Sequence, residues 1–296
     1  MKYDIIIIGS GLGGLQCAFI LAKQGRRVCV LEKELHPGGC MQSYRRKGIA
    51  LDTGLHYVGG LAPGNSLYPI FKYMNLMDLP WQHLDAEGFD RVMIEGRNFA
   101  YAEGLDNFVE TLSHDFPAER EGLRRYADVM GEIGRHLHDA ILPRDEVDFF
   151  NTSLFSQSAY EFLNETFHDP LLRNVLCGSS LKMELDKDTL PLYTFAQGNN
   201  SFIESSWRLK GDGSLLVDSL IEDIRSMGGE VICNALIRFP VLKRTIIFPS
   251  TSYGGVAPLC HLVPRHRCDN IDITGIRRTV LRYTTTYQNT RNRFVV

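Results

Sequence analysis

The sequence lacks a Cys-x-x-Cys pair, a long apolar run and a recognisable leader segment, and each absence excludes a class of protein. Its seven cysteines are odd in number and scattered, which argues against a disulfide framework and a zinc ribbon. No stretch approaches the roughly 18 consecutive apolar residues that a transmembrane helix needs. The start of the chain does not resemble a signal or transit peptide. We therefore expect a cytoplasmic protein with reduced thiols and no transmembrane segment.

Acidic residues are scarce in the last fifth of the chain, although the whole sequence is nearly balanced in charge. Residues 238–296 contain ten basic residues, two aspartates and no glutamate, whereas residues 1–237 carry a net charge of −11. These basic residues are dispersed, so we expect no nucleic-acid partner. The spacing of Cys260, His261, His266 and Cys268 does not match a zinc finger, so we expect no metal. This segment is predicted to be an atypical basic tail, either out of frame or disordered.

The remaining composition is that of a globular protein with enough apolar material for a core. The chain has 296 residues, of which 44% are hydrophobic and 23% charged. This length allows one large domain or two ordinary ones.

The first 32 residues follow a strand, glycine turn, helix and strand pattern. A β-branched run at residues 5–8 predicts a central parallel strand buried on both faces. The segment Gly-Ser-Gly-Leu-Gly-Gly follows at 9–14, and apolar residues then recur at helical spacing up to Gly25. A second apolar run at 28–31 ends at Glu32. In this context a Gly-x-Gly-x-x-Gly motif indicates dinucleotide binding.

The residue types of this motif match what a dinucleotide needs. Gly9 permits the tight turn, Gly11 lets the backbone approach a pyrophosphate, and Gly14 lets the helix pack closely on the strand. The helix N-terminus offers N–H groups and a partial positive charge to phosphates. Glu32 can accept hydrogen bonds from both ribose hydroxyls and would repel a 2′-phosphate. The pattern therefore predicts FAD or NAD rather than NADP.

Two later segments bear on the choice between FAD and NAD. A glycine pair follows Pro37 and makes a loop with little side-chain bulk, which would let the backbone lie beside an extended cofactor. The segment Leu-Asp-Thr-Gly-Leu-His-Tyr then occupies residues 51–57. With Glu32-Lys33 and the first glycine motif, these segments resemble the flavoprotein superfamily of phytoene desaturases, carotenoid isomerases, amine oxidases and retinol saturases. Cys40 and residues 51–60 look closest to the retinol saturase and carotenoid isomerase branch.

The resemblance implies that FAD is bound in an extended conformation. The first glycines would contact the pyrophosphate, Glu32 the adenosine ribose, and residues 38–40 the ribityl chain. Residues 52–56 would run close to the isoalloxazine, and the backbone of Ile237 would contact the adenine. The implied cofactor-binding residues are Gly9, Gly11, Gly14, Glu32, Lys33, Gly38, Gly39, Cys40, Gly54 and Ile237. The sequence identifies no catalytic residue.

The fold class implied by the resemblance is α/β. We expect a Rossmann-like FAD/NAD(P)-binding domain at residues 1–60 and 202–237, with a helical substrate-cap insertion at 61–201. The C-terminal part of the family's fold is expected to be missing. Residues 202–208 resemble a strand of the family, and a second strand is predicted at 230–237. An apolar face over residues 67–77 predicts core packing or, alternatively, contact with a lipophilic substrate or a membrane.

The function implied by the resemblance is an FAD-dependent oxidoreductase that acts on C=C/CH–CH bonds of an isoprenoid-like lipid. The expected partner is therefore a lipophilic small molecule, and a peripheral contact with a membrane stays open. Saturation, desaturation and isomerisation are not distinguished, and the oligomeric state is undefined. Two alternatives stay open. One is a truncated, non-catalytic remnant that binds a dinucleotide weakly, and the other is an NAD-binding dehydrogenase.

Overall fold

The structure is a computed structural model that describes residues 3–141, 157–179, 183 and 190–236. Its strands are β1 (Ile5–Ile8), β2 (Val28–Leu31), β3 (Ser43–Arg46), β4 (Ile49–Asp52), β5 (Val58–Gly59), β6 (Trp81–His83), β7 (Asp90–Ile94), β8 (Arg97–Tyr101), β9 (Ser206–Leu209) and β10 (Glu230–Ile232). Its helices are α1 (Leu12–Lys23), α2 (Tyr68–Tyr73), α3 (Leu105–Asp115), α4 (Arg120–Ile141), α5 (Ala159–Thr166), α6 (Pro170–Leu176), α7 (Leu192–Glu204) and α8 (Ser214–Ser226). This mixture of helices and sheets confirms the α/β class.

The described chain divides into two compact units. The first unit contains residues 3–55 and 212–236, and the second contains residues 56–211. The division therefore falls a few residues before position 60 and about ten residues after position 202. The assignment of one unit to the cofactor and the other to the substrate stays a prediction.

A small parallel sheet organises the first unit. Strand β2 pairs with β1 on one side, with Ile5 opposite Val28, and with β10 on the other, with Ile232 opposite Leu31. All four residues of β2 are buried, whereas those of β1 are half-buried. Among the described strands, therefore, β2 and not β1 is the central, fully buried strand. The expectation of a central β1 is wrong for this part of the sheet, because β1 has a described neighbour on one side only.

Two helices and a hairpin complete the first unit. Helix α1 buries a stripe of small and apolar side chains at helical spacing and packs against α8. Helix α8 buries its own apolar stripe, as its sequence periodicity predicts. Strands β3 and β4 form a separate two-stranded antiparallel sheet joined by a tight turn at Lys47 and Gly48.

The second unit combines short antiparallel sheets with helices around an aromatic core. Strands β5, β9 and β6 form one sheet, and β7 and β8 form a hairpin. Aromatic side chains from the hairpin and the helices pack in a chain of ring contacts, for example Tyr101 with Phe108 at 5.2 Å and Phe108 with Tyr126 at 5.8 Å. Helices α3 to α7 and the hairpin of this unit therefore share one core. The buried rings of this core are Phe99, Tyr101, Phe108, Phe116, Tyr126, Phe162, Phe167, Tyr193 and Phe195.

Two predicted strands differ from the structure. Residues 202–204 are the last turn of α7, and the strand begins only at Ser206. The apolar residue Ile203 is buried in the core of the second unit, so packing favours the helix there. The strand predicted at 230–237 ends at Ile232, and Asn234 has a positive φ of 56°. Ile237 and the basic tail at 238–296 lie outside the described residues.

The apolar face predicted over residues 67–77 is divided by a break in the helix. Helix α2 ends at Tyr73, and Asn75 adopts the left-handed conformation before a 3-10 turn at Leu76–Asp78. Met74 and Leu76 are buried, whereas Ile70 and Phe71 are half-buried. Part of this face therefore packs in the core, and the rest keeps some exposure.

Candidate functional site

The glycine turn between β1 and α1 depends on a close backbone contact. A Cβ atom on Gly14 would lie 2.1 Å from the carbonyl oxygen of Gly9, a distance that no side chain can tolerate. Gly9 itself has a φ of +93°, in the region that favours glycine. The sequence predicts these two roles, a tight turn and close packing of helix on strand.

The N-terminus of α1 is open to an anion. Its N-cap is Gly11, and within the described part of the chain no side chain caps the helix and its first turn holds no acidic residue. The first N–H groups of an α-helix have no intrahelical acceptor, and the helix dipole adds a partial positive charge there. This end of α1 can therefore receive a phosphate group.

The second glycine loop lies directly against the first. The N–H of Gly38 donates to the carbonyl oxygen of Ser10 at 3.0 Å and to its Oγ at 3.2 Å. Gly38 has a φ of +111°, and a Cβ atom on Gly39 would lie 3.1 Å from the Cα of Gly11. Little side-chain bulk is tolerated where the two loops meet. The structure thus brings together the two segments that the sequence assigns to one cofactor.

Glu32 is held in one orientation at the end of β2. Its side chain is 6% exposed. Oε2 accepts hydrogen bonds from the N–H of Ser10 at 2.8 Å and from its hydroxyl at 2.6 Å, and Oε1 accepts from the N–H of Glu34 at 2.9 Å. Burial alone would raise the pKa of Glu32, but these hydrogen bonds favour the charged form and bring the pKa below its usual value. The carboxylate is therefore ionised and oriented at neutral pH.

Cys40 contacts the Asp-Thr-Gly segment through its backbone carbonyl group and not through its thiol. The thiol is free and exposed, whereas the carbonyl oxygen of Cys40 accepts a hydrogen bond from the hydroxyl of Thr53 at 2.9 Å. A Cβ atom on Gly54 would lie 2.5 Å from that same oxygen. The Asp-Thr-Gly segment is therefore packed on the second glycine loop.

The structure gives less support for a cofactor contact at the other two predicted residues, Lys33 and Ile237. Lys33 is 67% exposed and forms a surface ion pair of 3.4 Å with Glu34, a kind of pair that contributes little to stability. Its backbone N–H is among the groups that lower the pKa of Glu32. Ile237 lies outside the described residues.

Sequence reasoning missed Ser10 and the contacts of Asp52. Ser10 occupies a variable position of the glycine motif, yet it joins both glycine loops to Glu32. Asp52 accepts hydrogen bonds from Ser43 Oγ at 2.7 Å and from the N–H of Gly213 at 2.8 Å, 161 residues further along the chain. A contact at that separation leaves no signal in a single sequence, whereas the polar residue inside the turn at position 10 offered a weak one.

A second carboxylate lies beside these residues at the start of α8. The pKa of Asp212 lies below its usual value, mainly because its carboxylate accepts a hydrogen bond from the Ser214 hydroxyl. Burial acts in the opposite direction. Smaller lowering contributions come from the Ser214 N–H, the Ser43 hydroxyl and the charge of Arg45. The carboxylates of Asp52 and Asp212 thus fix the β3–β4 hairpin to the beginning of α8.

The donor set fits a dinucleotide and does not resemble a metal centre. Across residues 3–141, 157–179, 183 and 190–236, no group of three or more His, Cys, Asp or Glu side chains could hold a metal ion. The same part of the chain contains no helix with the length and apolar character needed to cross a membrane. The open end of α1, the glycine loops and Glu32 together offer partners for a pyrophosphate and a ribose.

Comparison with protein families identifies the class of domain. A family model described as "NAD(P)-binding Rossmann-like domain" matches residues 7–74, which include both glycine loops and Glu32. The chain therefore contains a Rossmann-like dinucleotide-binding domain.

The chain's relatives belong to the retinol saturase and carotenoid isomerase family, which confirms the resemblance seen in the sequence. The all-trans-retinol 13,14-reductase of Danio rerio is 28% identical over 278 residues, covering 86% of this chain and 44% of the relative. Prolycopene isomerase 2 of an Oncidium hybrid cultivar is 30% identical over 170 residues, covering 57% of this chain and 29% of the relative. A Danio rerio protein named inactive all-trans-retinol 13,14-reductase is 47% identical over 133 residues, covering 43% of this chain and 22% of the relative. The chain spans less than half the length of each of these relatives.

Solved structures show the same fold. Cyclohexylamine oxidase from Brevibacterium oxydans IH-35A matches with a TM-score of 0.53 and 18% identity, covering 80% of this chain and 52% of that chain. This match supports the fold alone.

Proposed function

We propose that this chain is an FAD-dependent oxidoreductase that acts on C=C/CH–CH bonds of an isoprenoid-like lipid. The observation that carries the proposal is the contact between the two glycine loops, with Glu32 fixed beside them through Ser10. The names of the relatives, a retinol 13,14-reductase and a prolycopene isomerase, support a polyene substrate.

Each part of the proposed cofactor has a matching group in the first unit. The open end of α1 would hold the pyrophosphate, and the Glu32 carboxylate would accept hydrogen bonds from the ribose hydroxyls. The backbone of residues 38–40 would lie along the ribityl chain, and residues 52–54 near the flavin ring. When bound, FAD would supply hydride transfer. The protein's part is to hold the cofactor on the two loops.

The same geometry favours FAD over NAD as the proposed cofactor. A Cβ atom on Gly39 would lie 3.1 Å from the Cα of Gly11, so a second stretch of backbone with little side-chain bulk adjoins the proposed pyrophosphate site. An extended flavin dinucleotide would use this stretch. An NAD-binding dehydrogenase would use the first glycine loop and Glu32 alone, and it has no evident need for a second loop without side chains.

A second candidate function is a non-catalytic dinucleotide-binding protein. It is favoured by the 47% identity to a relative named inactive. This candidate predicts nucleotide binding at the same residues without turnover of a polyene.

The location proposed for the protein is the cytoplasm. All five cysteines in the described residues are free, and reduced thiols are typical of that compartment.

The test is the cofactor content of the full purified chain, followed by a single-turnover assay. We expect a yellow protein whose absorbance in the visible flavin bands bleaches on anaerobic reduction. In a reductase the absorbance returns when all-trans-retinol is added, whereas in an isomerase added prolycopene is isomerised and the flavin stays reduced. In a reductase, hydride and a proton would be added across one C=C bond of the polyene. Binding of NAD without flavin would contradict the FAD proposal. A flavin protein that neither reduces, oxidises nor isomerises a polyene would favour the non-catalytic candidate.

A matched pair of variants assigns the result to the proposed site. Glu32→Gln should weaken FAD binding by at least roughly tenfold, because a hydrogen bond to a charged group contributes about 1.5–3 kcal/mol. Glu34→Gln removes the same charge from an exposed neighbour and should leave binding unchanged. Equal effects of the two changes would contradict the ribose-binding role of Glu32.

A further inference from the structure

The β3–β4 hairpin exposes apolar side chains on one face. The register pairs Tyr44 with Leu51 and Arg46 with Ile49, and directly opposed residues of an antiparallel pair lie on the same side of the sheet. We call these four residues the outer hairpin face. Tyr44 is 54% exposed, Ile49 64% and Leu51 37%.

The opposite face of the hairpin is polar and is anchored to the first unit. Asp52 accepts hydrogen bonds from Ser43 and from the N–H of Gly213, and Arg45 lies 3.7 Å from a carboxylate oxygen of Asp212. These contacts hold the base of the hairpin at the start of α8. By contrast, all residues from 44 to 49 are exposed, so the far end of the hairpin projects from its anchor.

This arrangement is the reverse of the usual pattern. A two-stranded sheet that packs on a protein normally places its apolar face inward and its polar face toward water. Here the anchored face carries aspartate, serine and arginine, and the outer hairpin face carries a tyrosine, an isoleucine and a leucine. Keeping three large apolar side chains in water has no benefit for folding, and contiguous exposure of this kind marks a surface that contacts something else.

Positive charge at the tip of the hairpin indicates the kind of partner. Arg46 and Lys47 lie at the tip, and within the described residues neither has a carboxylate at ion-pair distance. The turn is sharp because Lys47 and Gly48 both have positive φ values, 51° and 81°, as in the two-residue turns favoured by hairpins. Two cations thus stand at the outer end of a short apolar strip.

We propose that the outer hairpin face docks on an anionic lipid surface. Tyrosine is enriched at membrane interfaces, and arginine and lysine side chains extend to reach lipid headgroups while their stems lie along apolar groups. Binding of such a surface combines buried apolar area with attraction to anionic lipid. The aliphatic side chains of Ile49 and Leu51 argue against a nucleic-acid partner, which would be recognised by cations with stacking or hydrogen-bonding groups. This inference does not require a bound cofactor.

Vesicle co-sedimentation of the full chain tests the proposal. The probes are phosphatidylcholine vesicles with and without phosphatidylserine, at low and physiological salt. We expect binding only when phosphatidylserine is present, and weaker binding at higher salt. Arg46→Glu combined with Lys47→Glu should reduce the partition coefficient at least 25-fold, taking about fivefold for each basic residue near the surface. Ile49→Ser should reduce it about fivefold through lost apolar contact.

Matched controls separate this surface from general charge and apolarity. Arg26→Glu combined with Arg208→Glu makes the same change in net charge at two exposed positions that do not belong to the hairpin. Met93→Ser removes a side chain that is 78% exposed in the second unit. Both controls should bind vesicles as the unchanged protein does, and all variants should keep its unfolding temperature.

A second measurement reports on the hairpin itself. The emission of a Tyr44→Trp variant should shift to shorter wavelength, and brominated lipids should quench it, when phosphatidylserine vesicles are added. Equal vesicle binding by the hairpin variants and their controls would overturn the proposal. It would also be overturned if the unchanged protein did not bind phosphatidylserine vesicles. Hairpin variants that then altered its self-association or its retention of a DNA oligonucleotide would identify another protein copy or a nucleic acid as the partner instead.

Discussion

The two units reach their structures by different physical means. The first unit depends on backbone atoms that approach closely, at Gly14 against Gly9 and at Gly39 against Gly11. The second depends on buried aromatic rings such as Phe108 and Tyr126. Close approach is intolerant of any added atom, whereas a packed core is intolerant of removed volume. The comparison shows why the candidate site lies in the unit where side chains are kept away.

The largest expected effect is the loss of a ring from the second unit. Phe108 is 1% exposed and contacts the rings of Tyr101 and Tyr126. Phe108→Ala should lower the free energy of unfolding by about 3–5 kcal/mol, because a cavity is added to the lost transfer energy. Urea denaturation measures this value. Phe108→Leu should cost only about 1 kcal/mol, and similar losses in the two variants would show that filled volume does not stabilise this unit.

Adding an atom to the first unit should reduce stability less than Phe108→Ala does, but it should reduce dinucleotide binding more. Gly14→Ala would place Cβ 2.1 Å from a backbone oxygen and should cost about 3 kcal/mol, the upper end of the usual range for overpacking. It should also abolish dinucleotide binding, because the start of α1 must move. Calorimetric unfolding and nucleotide titration provide the two measurements.

Gly25 is the matched control for that change. It has a φ of +77° and no atom lies within 4 Å of its Cβ position. Gly25→Ala should therefore cost only the backbone strain, about 1 kcal/mol, and leave nucleotide binding intact. Loss of binding in this variant would mean that the glycine motif acts through general stability and not through local contact.

The effect expected at Glu32 is smaller than those at Phe108 and Gly14, and it depends on pH. The pKa of Glu32 in the folded protein lies below its ordinary value of 4.5, so its carboxylate stabilises the fold at neutral pH. Glu32→Gln should cost about 2 kcal/mol there, through weaker hydrogen bonds to Ser10 and Glu34. The difference in free energy of unfolding between the unchanged protein and Glu32→Gln should be fully present above pH 4.5. It should shrink as the pH falls through the lowered pKa of Glu32. Stability measured across this range in parallel with Glu34→Gln checks the sign, and a difference that grew on acidification would contradict the charged state of Glu32.

The sequence predicted local features better than long-range contacts, and the reason is physical. Glycines at 9, 11, 14, 38 and 39 have short-range roles, and their spacing is visible in one sequence. The contact between Asp52 and Gly213 joins residues 161 positions apart, and no local pattern encodes it. Residues 202–204 resembled a strand, but the burial of Ile203 in a distant core stabilises a helix. Tertiary contacts thus determine the position of Asp52 and the helical conformation of residues 202–204, which the local sequence pattern does not predict.

The relay from the Gly38 N–H through the Ser10 hydroxyl to Glu32 has a thermodynamic consequence. Because the relay consists of the protein's own groups and joins the two glycine loops, it would restrict the freedom of both loops. Association with a dinucleotide would then lose little conformational entropy of the chain, and its heat-capacity change would reflect the surface of the ligand that becomes buried. The small hydroxyl at position 10 therefore reduces the ordering cost of binding for two loops at once.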